Sequence, residues 1–151
     1  MSERKLEGTW AKIERAKYHL NQLQLDLGRH SHSEGVAFRN DLQAQQHVLT
    51  YRVPRDRFIH YAVVSGEVIG QARSALEHAI WEMSISPRFT GFPVVQNPAH
   101  YKDAARSKVK GINVAAREIV KRLQPFNNGG KDSPLWILHD MWNTDKHKLL
   151  H

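Results

Sequence analysis

Two long runs of apolar residues at helical spacing constrain the fold of this chain most strongly. The first run covers residues 6–27 and stops at Gly28, and the second covers residues 56–83. Apolar residues that recur every three or four positions share one face of a helix, and that face must be buried against another element. Together with a length of 151 residues, which suits one domain, these runs predict a mainly α, antiparallel helical bundle formed by residues 1–151.

Residues 36–53, between the two long helices, have a different pattern. The segments Val36-Ala37-Phe38 and His47 to Val53 are rich in β-branched and aromatic residues, which favour strands. We therefore expect a small β-hairpin inserted between the first two helices. Further along, the Phe92-Pro93-Val94-Val95 segment lies in a Pro- and Gly-rich loop, and we expect it to fold back onto the core.

Three shorter helices are predicted in the second half of the chain, at residues 100–109, 114–123 and 134 to the end. Ser133-Pro134 is a helix start signal, because a hydroxyl caps the helix and proline suits its first position. The last helix reaches His151 without a capping residue or a polar tail. We therefore expect the native protein to continue beyond residue 151.

The composition excludes several classes of protein. The chain has no cysteine, which excludes disulfides, zinc fingers, iron-sulfur clusters and thiol nucleophiles. No apolar run approaches the roughly 18 to 20 residues that a membrane span needs, and the first residues lack the apolar segment of a signal peptide. We expect a cytoplasmic protein without membrane contact.

An excess of basic residues makes a phosphate-rich partner plausible. Lys and Arg number 22 against 15 Asp and Glu, a net charge of +7, and the local excess is largest between residues 102 and 122. Basic residues attract nucleic acid through its phosphates, although a solvated helix pair with excess lysine would show the same pattern. The predicted RNA-binding residues are Lys102, Arg106, Lys108, Lys110, Arg117, Lys121 and Arg122.

Small residues recur every four positions on the second long helix, at Gly66, Gly70 and Ser74. Each glycine costs about 1 kcal/mol of helix stability relative to alanine, so a close contact should offset that cost. We expect a second helix to pack here, either from this chain or from another subunit as in a homodimer, while a loop or the hairpin is the alternative cover. The predicted core stripe of the same helix is separate and consists of Tyr61, Val64, Val68, Ala72, Leu76, Ala79 and Met83.

Polar residues occupy unusual places on the second long helix and on the last helix. Arg73 and Glu77 have the spacing of an ion pair that, on a surface helix, contributes only about 0.2 to 0.5 kcal/mol. Asp145 lies on the apolar stripe of the last helix, where a carboxylate needs a partner. The candidate partners are Arg73, His78 and Lys146, and the last helix also carries a ladder of His139, Asn143 and His147.

Four ordered segments carry a resemblance to known proteins. Arg73 to His78 reads RSALEH, Phe92-Pro93 and Gln124-Pro125 follow, and Asn143 to Lys148 reads NTDKHK. The chain resembles a group of largely uncharacterised bacterial, mainly actinobacterial, helical proteins with the pattern GD-x-LHN-x-RSALDH, FP, QP and N-x-DKHR. It departs from that pattern at Glu67, Gly70-Gln71, Glu77 and Lys148.

The Arg73-x4-His78 spacing is also similar to the R-x4-6-H motif of the HEPN superfamily. That resemblance implies a compact bundle that dimerises and acts as a metal-independent endoribonuclease of a toxin or antiphage system, with an antitoxin or other protein partner and no cofactor. His78 would be the general acid or base at a ribose 2′-OH, and Arg73 would hold the phosphate. The residues implied to complete the site are Asn143, Asp145, Lys146 and His147.

Two other classes stay open from the sequence, and whether the chain is an enzyme is undecided. A non-catalytic RNA- or protein-binding module would use the same basic surface, with structural histidines. A metal hydrolase would use imidazoles from several helices as ligands. The histidines considered for that metal site are His60, His78, His147 and His151.

Overall fold

The computed structural model describes residues 6–33, 36–41, 46–51, 54–85, 88 and 90–148, with backbone alone for residues 31–33, 146–148 and most of the strand residues. These parts of the chain are mainly helical, which confirms the mainly α part of the predicted fold class. The helices and strands are α1 (Glu7–Ser33), β1 (Val36–Asp41), β2 (Gln46–Tyr51), α2 (Arg55–Met83), α3 (Pro98–Lys108), α4 (Val114–Arg122) and α5 (Pro134–Lys148).

Helices α1 and α2 pack antiparallel along most of their length. At one end the backbone N–H of Gly8 donates to Glu82 Oε1 at 2.9 Å. At the other end the Nε2 atom of His60 lies 3.4 Å from Asp26 Oδ2. The Glu82 carboxylate therefore satisfies N–H groups at the start of α1, which have no partner within their own helix.

Helix α1 continues past the glycine at which the sequence predicts its end. It extends through Gly28 to Ser33, so the predicted boundary is wrong. His30 lies two residues after Gly28 and is buried. Its ring centroid lies 6.5 Å from that of Tyr61 on α2. Packing against a neighbouring helix outweighs the modest cost of one glycine.

A two-stranded antiparallel sheet lies between α1 and α2. Strands β1 and β2 pair with Val36 opposite Tyr51 and Asp41 opposite Gln46. This sheet lies within residues 36–53, where the sequence predicts a hairpin. The connecting residues 42–45 lie outside the described residues.

The main core lies at the C-terminal end of α2, where the loop at residues 91–95, the α3–α4 turn and α4 meet. Phe92 is buried in it, which confirms that this loop folds back onto the core. Helix α5 begins beside it, and Ser133 Oγ accepts from Trp136 N at 3.0 Å, which confirms the predicted cap. The buried core residues are Ile80, Phe92, Val109, Ile112, Ala116 and Val120.

The predicted core stripe of α2 is only partly correct. Its seven residues are all half-buried, whereas the buried residues of this helix are Arg73, Ala75 and Ile80. Helix α2 packs against α1 and α5 and also contributes to the main core. Because it has neighbours on several sides, no single face carries all of its burial.

Candidate nucleic-acid interface and the buried Arg73 cluster

Arg73 lies in the interior of the protein. The residue is 5% exposed, and its Nη2 donates to the carbonyl of Phe92 at 2.9 Å and to the carboxylate of Glu77. Its Cζ lies 5.5 Å from the centre of the Trp142 ring on α5, within the range of a cation–π contact. The ion pair that helical spacing predicts between Arg73 and Glu77 is therefore present, but it is not a surface pair, because it joins α2 to the loop and to α5.

Glu77 binds the backbone N–H of Phe92, the same loop residue whose carbonyl Arg73 binds. The backbone N–H of Phe92 donates to Glu77 Oε2 at 2.8 Å, so the ion pair satisfies both backbone polar groups of Phe92. A Cβ at Gly91 would lie 2.7 Å from Glu77 Oε2. Glycine at position 91 thus lets the loop come this close to the carboxylate.

Gln124 holds the loop from its other side. This residue is fully buried, and its Nε2 donates to the carbonyls of Pro93 at 2.9 Å and Val120 at 3.0 Å. Its Oε1 accepts from the N–H of Val95 at 3.0 Å. Gln124 is marked in the sequence only by the Gln124-Pro125 element of the resemblance, because nothing in the neighbouring sequence indicates which loop it would contact.

The segments that carry the family resemblance meet one another in space. Arg73 contacts Phe92, and Gln124 contacts Pro93. A Cβ at Gly66 would lie 2.7 Å from Oδ1 of Asp145, so the last segment packs against α2. These contacts hold the loop and the last helix against α2.

The predicted catalytic residues are brought together in part. Asn143 Nδ2 lies 3.1 Å from His139 Nε2 on α5. Burial lowers the pKa of His139, and the nearby charges of Arg73 and Lys108 lower it further, while Asp140 and Glu77 oppose the shift. Arg73 therefore lies near the His139–Asn143 part of α5.

Asp145 lies farther along the helix pair. Its carboxylate rests on Gly66, about 10 Å along the α2 axis from Arg73 at 1.5 Å per residue. Arg73, one of the three candidate partners for Asp145, pairs instead with Glu77. The side chains of Lys146 and His147 lie outside the described residues, and their roles stay predictions.

His78 faces a different neighbour from Arg73. A Cβ at Gly8, the second residue of α1, would lie 3.2 Å from His78 Nδ1, whereas Arg73 faces α5. This separation agrees with the angle of about 140° expected between two helical residues five positions apart. A pocket of about 370 Å³ is lined by Ser74, Glu77, His78, Trp81 and Thr90.

The predicted dimer residues are Gly66, Gly70 and Ser74, and the first of them is covered by another helix of the same chain. Asp145 of α5 lies against Gly66, so a second helix packs at that residue, as predicted, and it belongs to the same chain. At Gly70 a Cβ would meet nothing within 4 Å among the described residues. Ser74 lines the His78 pocket.

A basic groove lies between α3 and α4. It has a volume of about 970 Å³, and its walls carry five of the seven predicted RNA-binding residues, namely Lys102, Arg106, Lys110, Arg117 and Lys121. Lys108 and Arg122 are exposed outside this lining. The Nε of Arg117 donates to the carbonyl of Ile112 at 3.1 Å, which fixes the direction of its guanidinium.

The groove also contains two residues that were not predicted from the sequence. Tyr101 and Glu118 line it together with the cations, and the Tyr101 ring centroid lies 5.7 Å from that of Phe126 in an edge arrangement. Burial raises the pKa of Tyr101, and the charge of Glu118 raises it further. The available signal was an aromatic residue beside Lys102, a pattern found in nucleic-acid-binding surfaces.

Comparisons with models of known protein families, with curated proteins and with solved structures found no match. Among the residues that the structure describes, no three histidine or acidic side chains are arranged to hold a metal ion. His60 and His78 in particular are separated by about 27 Å of helix axis, so they cannot share an ion within one chain. None of the described helices is both long and apolar enough to cross a membrane.

Proposed function

We propose that this protein is an RNA-binding helical module and that the α3–α4 groove holds the phosphodiester backbone. The observation that supports this proposal is the convergence of five cations and one carboxylate on a single groove. Lysine and arginine bind phosphate oxygens through charge-assisted hydrogen bonds, and the counterions released on binding supply sequence-independent affinity.

The spacing of the cations suits an extended strand. Lys102 and Arg106 are four residues apart on α3, and Arg117 and Lys121 are four residues apart on α4. Both helix walls therefore present positive charges at intervals of about 6 Å. Successive phosphates of one strand can be contacted along the groove without unfolding either helix.

The direct test measures binding of a 5′-fluorescein oligouridine by fluorescence anisotropy over a series of salt concentrations. The triple variant Lys102→Gln, Arg106→Gln, Lys121→Gln should lose at least tenfold in affinity. The slope of its plot of log K against log salt concentration should become less negative by about 2, since each phosphate contact with a single strand contributes about 0.7 to that slope.

A matched triple variant controls for net charge. Arg15→Gln, Lys17→Gln, Lys131→Gln removes three exposed cations from other surfaces and should retain most of the affinity and the slope. Equal losses in both triple variants would contradict a groove-specific site. A deoxyribose oligomer of the same sequence should bind more weakly, and equal binding would contradict the assignment to RNA.

A second candidate function is the HEPN-like endoribonuclease, and the His78 pocket favours it. That pocket is lined by His78 together with Ser74 and Thr90, and in it His78 could move a proton at a ribose 2′-OH. Arg73 would act through Glu77, which both pairs with it and lines the pocket. The same hypothesis includes a homodimer, an antitoxin partner and contributions from Asn143, Asp145, Lys146 and His147.

Strand cleavage distinguishes the two candidates. The nuclease hypothesis requires the wild-type protein to cleave RNA in EDTA and to leave 2′,3′-cyclic phosphate ends. His78→Ala should abolish the cleavage, whereas His60→Ala, at an exposed position far along α2, should retain it. Intact RNA after incubation with wild-type protein would exclude the nuclease and leave RNA binding untouched.

A further inference from the structure

One carboxylate and one aromatic ring lie among the cations of the α3–α4 groove. Glu118 follows Arg117 directly and lies one helical turn before Lys121, so its charge opposes the binding of any polyanion there. Phosphate contacts alone do not explain why the groove contains it. The carboxylate has a chemical use in the groove if it accepts hydrogen bonds from a part of the ligand other than the phosphates.

Tyr101 lines the same groove as this carboxylate. The phenol is half-buried in the groove wall, with Phe126 packed against it. Burial raises the pKa of Tyr101, and the charge of Glu118 raises it further. The groove therefore presents an anchored aromatic ring, on which an unpaired base can stack, next to an acceptor with two oxygens.

We infer that the groove selects an unpaired guanine, which stacks on Tyr101 and donates two hydrogen bonds to the carboxylate of Glu118. Guanine is the RNA base whose Watson–Crick edge carries two adjacent donors, N1–H and the N2 amino group. Uracil presents one donor between two carbonyl oxygens, and adenine and cytosine each present an amino group beside an acceptor nitrogen. This inference rests on the proposed RNA binding and names the ligand more closely.

The surrounding cations complete this recognition. Lys121 and Arg117 line the groove together with Glu118, so the phosphates next to the guanosine have positive partners within it. Base pairing would occupy the edge that Glu118 must contact. The expected ligand is therefore a single-stranded segment or loop that contains guanosine.

The experiment compares three fluorescein-labelled undecamers by anisotropy, each of uridine except at the central position. The centre is guanosine, inosine or uridine, and inosine keeps N1–H but lacks the N2 amino group. Wild-type protein should bind the guanosine oligomer about tenfold more tightly than the uridine oligomer, the ratio that about 1.4 kcal/mol from hydrogen bonds to a charged acceptor gives. The inosine oligomer should be intermediate.

Two variants that each remove one negative charge sharpen the test. Glu118→Gln should abolish the preference for guanosine while binding the uridine oligomer at least as tightly as wild type. Asp103→Asn, at an exposed position on α3 outside the groove lining, should keep the tenfold preference. Both positions are exposed, and equal circular dichroism spectra would show that the fold is retained.

The outcomes separate this inference from the proposal on which it rests. Failure of wild-type protein to bind any of the three oligomers would overturn RNA binding itself. Equal binding of all three, or a guanosine preference that survives Glu118→Gln, would overturn the guanine site and leave RNA binding in place.

Discussion

Arg73 and the cations of the α3–α4 groove carry the same charge in opposite surroundings. Arg73 is buried, and its guanidinium donates to Phe92 and Glu77 and packs on Trp142. Lys102, by contrast, lies on an exposed groove wall with four other cations. Burial and neighbours, and not residue type, separate a cation that holds the fold from one available to a ligand.

The two regions are physically connected. The loop that Arg73 and Glu77 hold also contacts the end of α3, where the N–H of Gly91 donates to the carbonyl of Lys108 at 2.9 Å. Two residues farther on, the carbonyl of Lys110 accepts from Ser84 Oγ at 2.9 Å. The loop held by Arg73 and Glu77 and the end of α2 are therefore both hydrogen-bonded to the end of α3 and the turn after it.

Arg73→Ala should have the largest effect on stability. Removing one partner of a buried ion pair typically costs 3 to 5 kcal/mol, and because Glu77 is partly exposed we expect the lower limit, roughly 3 kcal/mol. At about 3 °C per kcal/mol for a domain of this size, the melting temperature should fall by about 9 °C in calorimetry. Arg106→Ala, in the groove, should change stability by less than about 0.5 kcal/mol. Similar losses in the two variants would break the comparison between the regions.

Gln124→Ala should have the next largest effect. The variant leaves the carbonyl of Pro93 and the N–H of Val95 without the partners that Gln124 provides, and each unsatisfied buried group costs about 1 kcal/mol or more. We expect a loss of roughly 2 kcal/mol in urea denaturation. Asn127→Ala removes an exposed side-chain bond to the carbonyl of Lys121 and should cost less than a quarter of that. A loss below 1 kcal/mol at Gln124 would show that the loop does not depend on this side chain.

The sequence predicts the features that depend on neighbouring residues in the chain. The start of α5 at Ser133-Pro134 and the position of Asp145 on the inner stripe of α5 follow from capping and periodicity. The burial of Arg73 does not, because it depends on a loop nineteen residues away in the chain. The groove was partly predictable, since the cations mark it, but placing Glu118 and Tyr101 in it requires the angle between α3 and α4.

His139 makes the buried region sensitive to acid. Its pKa is lowered in the folded state by burial and by Arg73 and Lys108, so the unfolded chain, with an ordinary value of about 6.5, takes up the proton first. The stability that depends on a neutral His139 is therefore present above pH 6.5 and is lost as the pH falls through that value toward the folded pKa.

The test for His139 is a melting series between pH 7.5 and pH 5. His139→Gln should show a smaller loss of melting temperature on acidification than wild type does. His100→Gln changes an exposed histidine on α3 and should follow the wild-type curve. If His139→Gln and wild type lost stability in parallel, the protonation of His139 would not be the cause.

The smallest expected effects come from two glycines one turn apart on α2. At Gly70 a Cβ would meet nothing within 4 Å in the described part of the chain, so Gly70→Ala should stabilise the protein by up to about 1 kcal/mol through helix propensity. At Gly66 a Cβ would lie 2.7 Å from Oδ1 of Asp145. Gly66→Ala must displace that carboxylate, which should cancel the gain and leave the free energy of unfolding unchanged or lower.

The same pair of variants tests the predicted homodimer, because a helix of a second copy packed at Gly70 would reverse the order of their stabilities. In that case Gly70→Ala would destabilise the protein, and Gly70→Leu would move its elution on sizing toward a smaller species. An unchanged elution of Gly70→Leu together with a stabilised Gly70→Ala would contradict a dimer contact at this glycine. The open space at Gly70 would then belong to the surface of the monomer, in contrast to the filled space at Gly66.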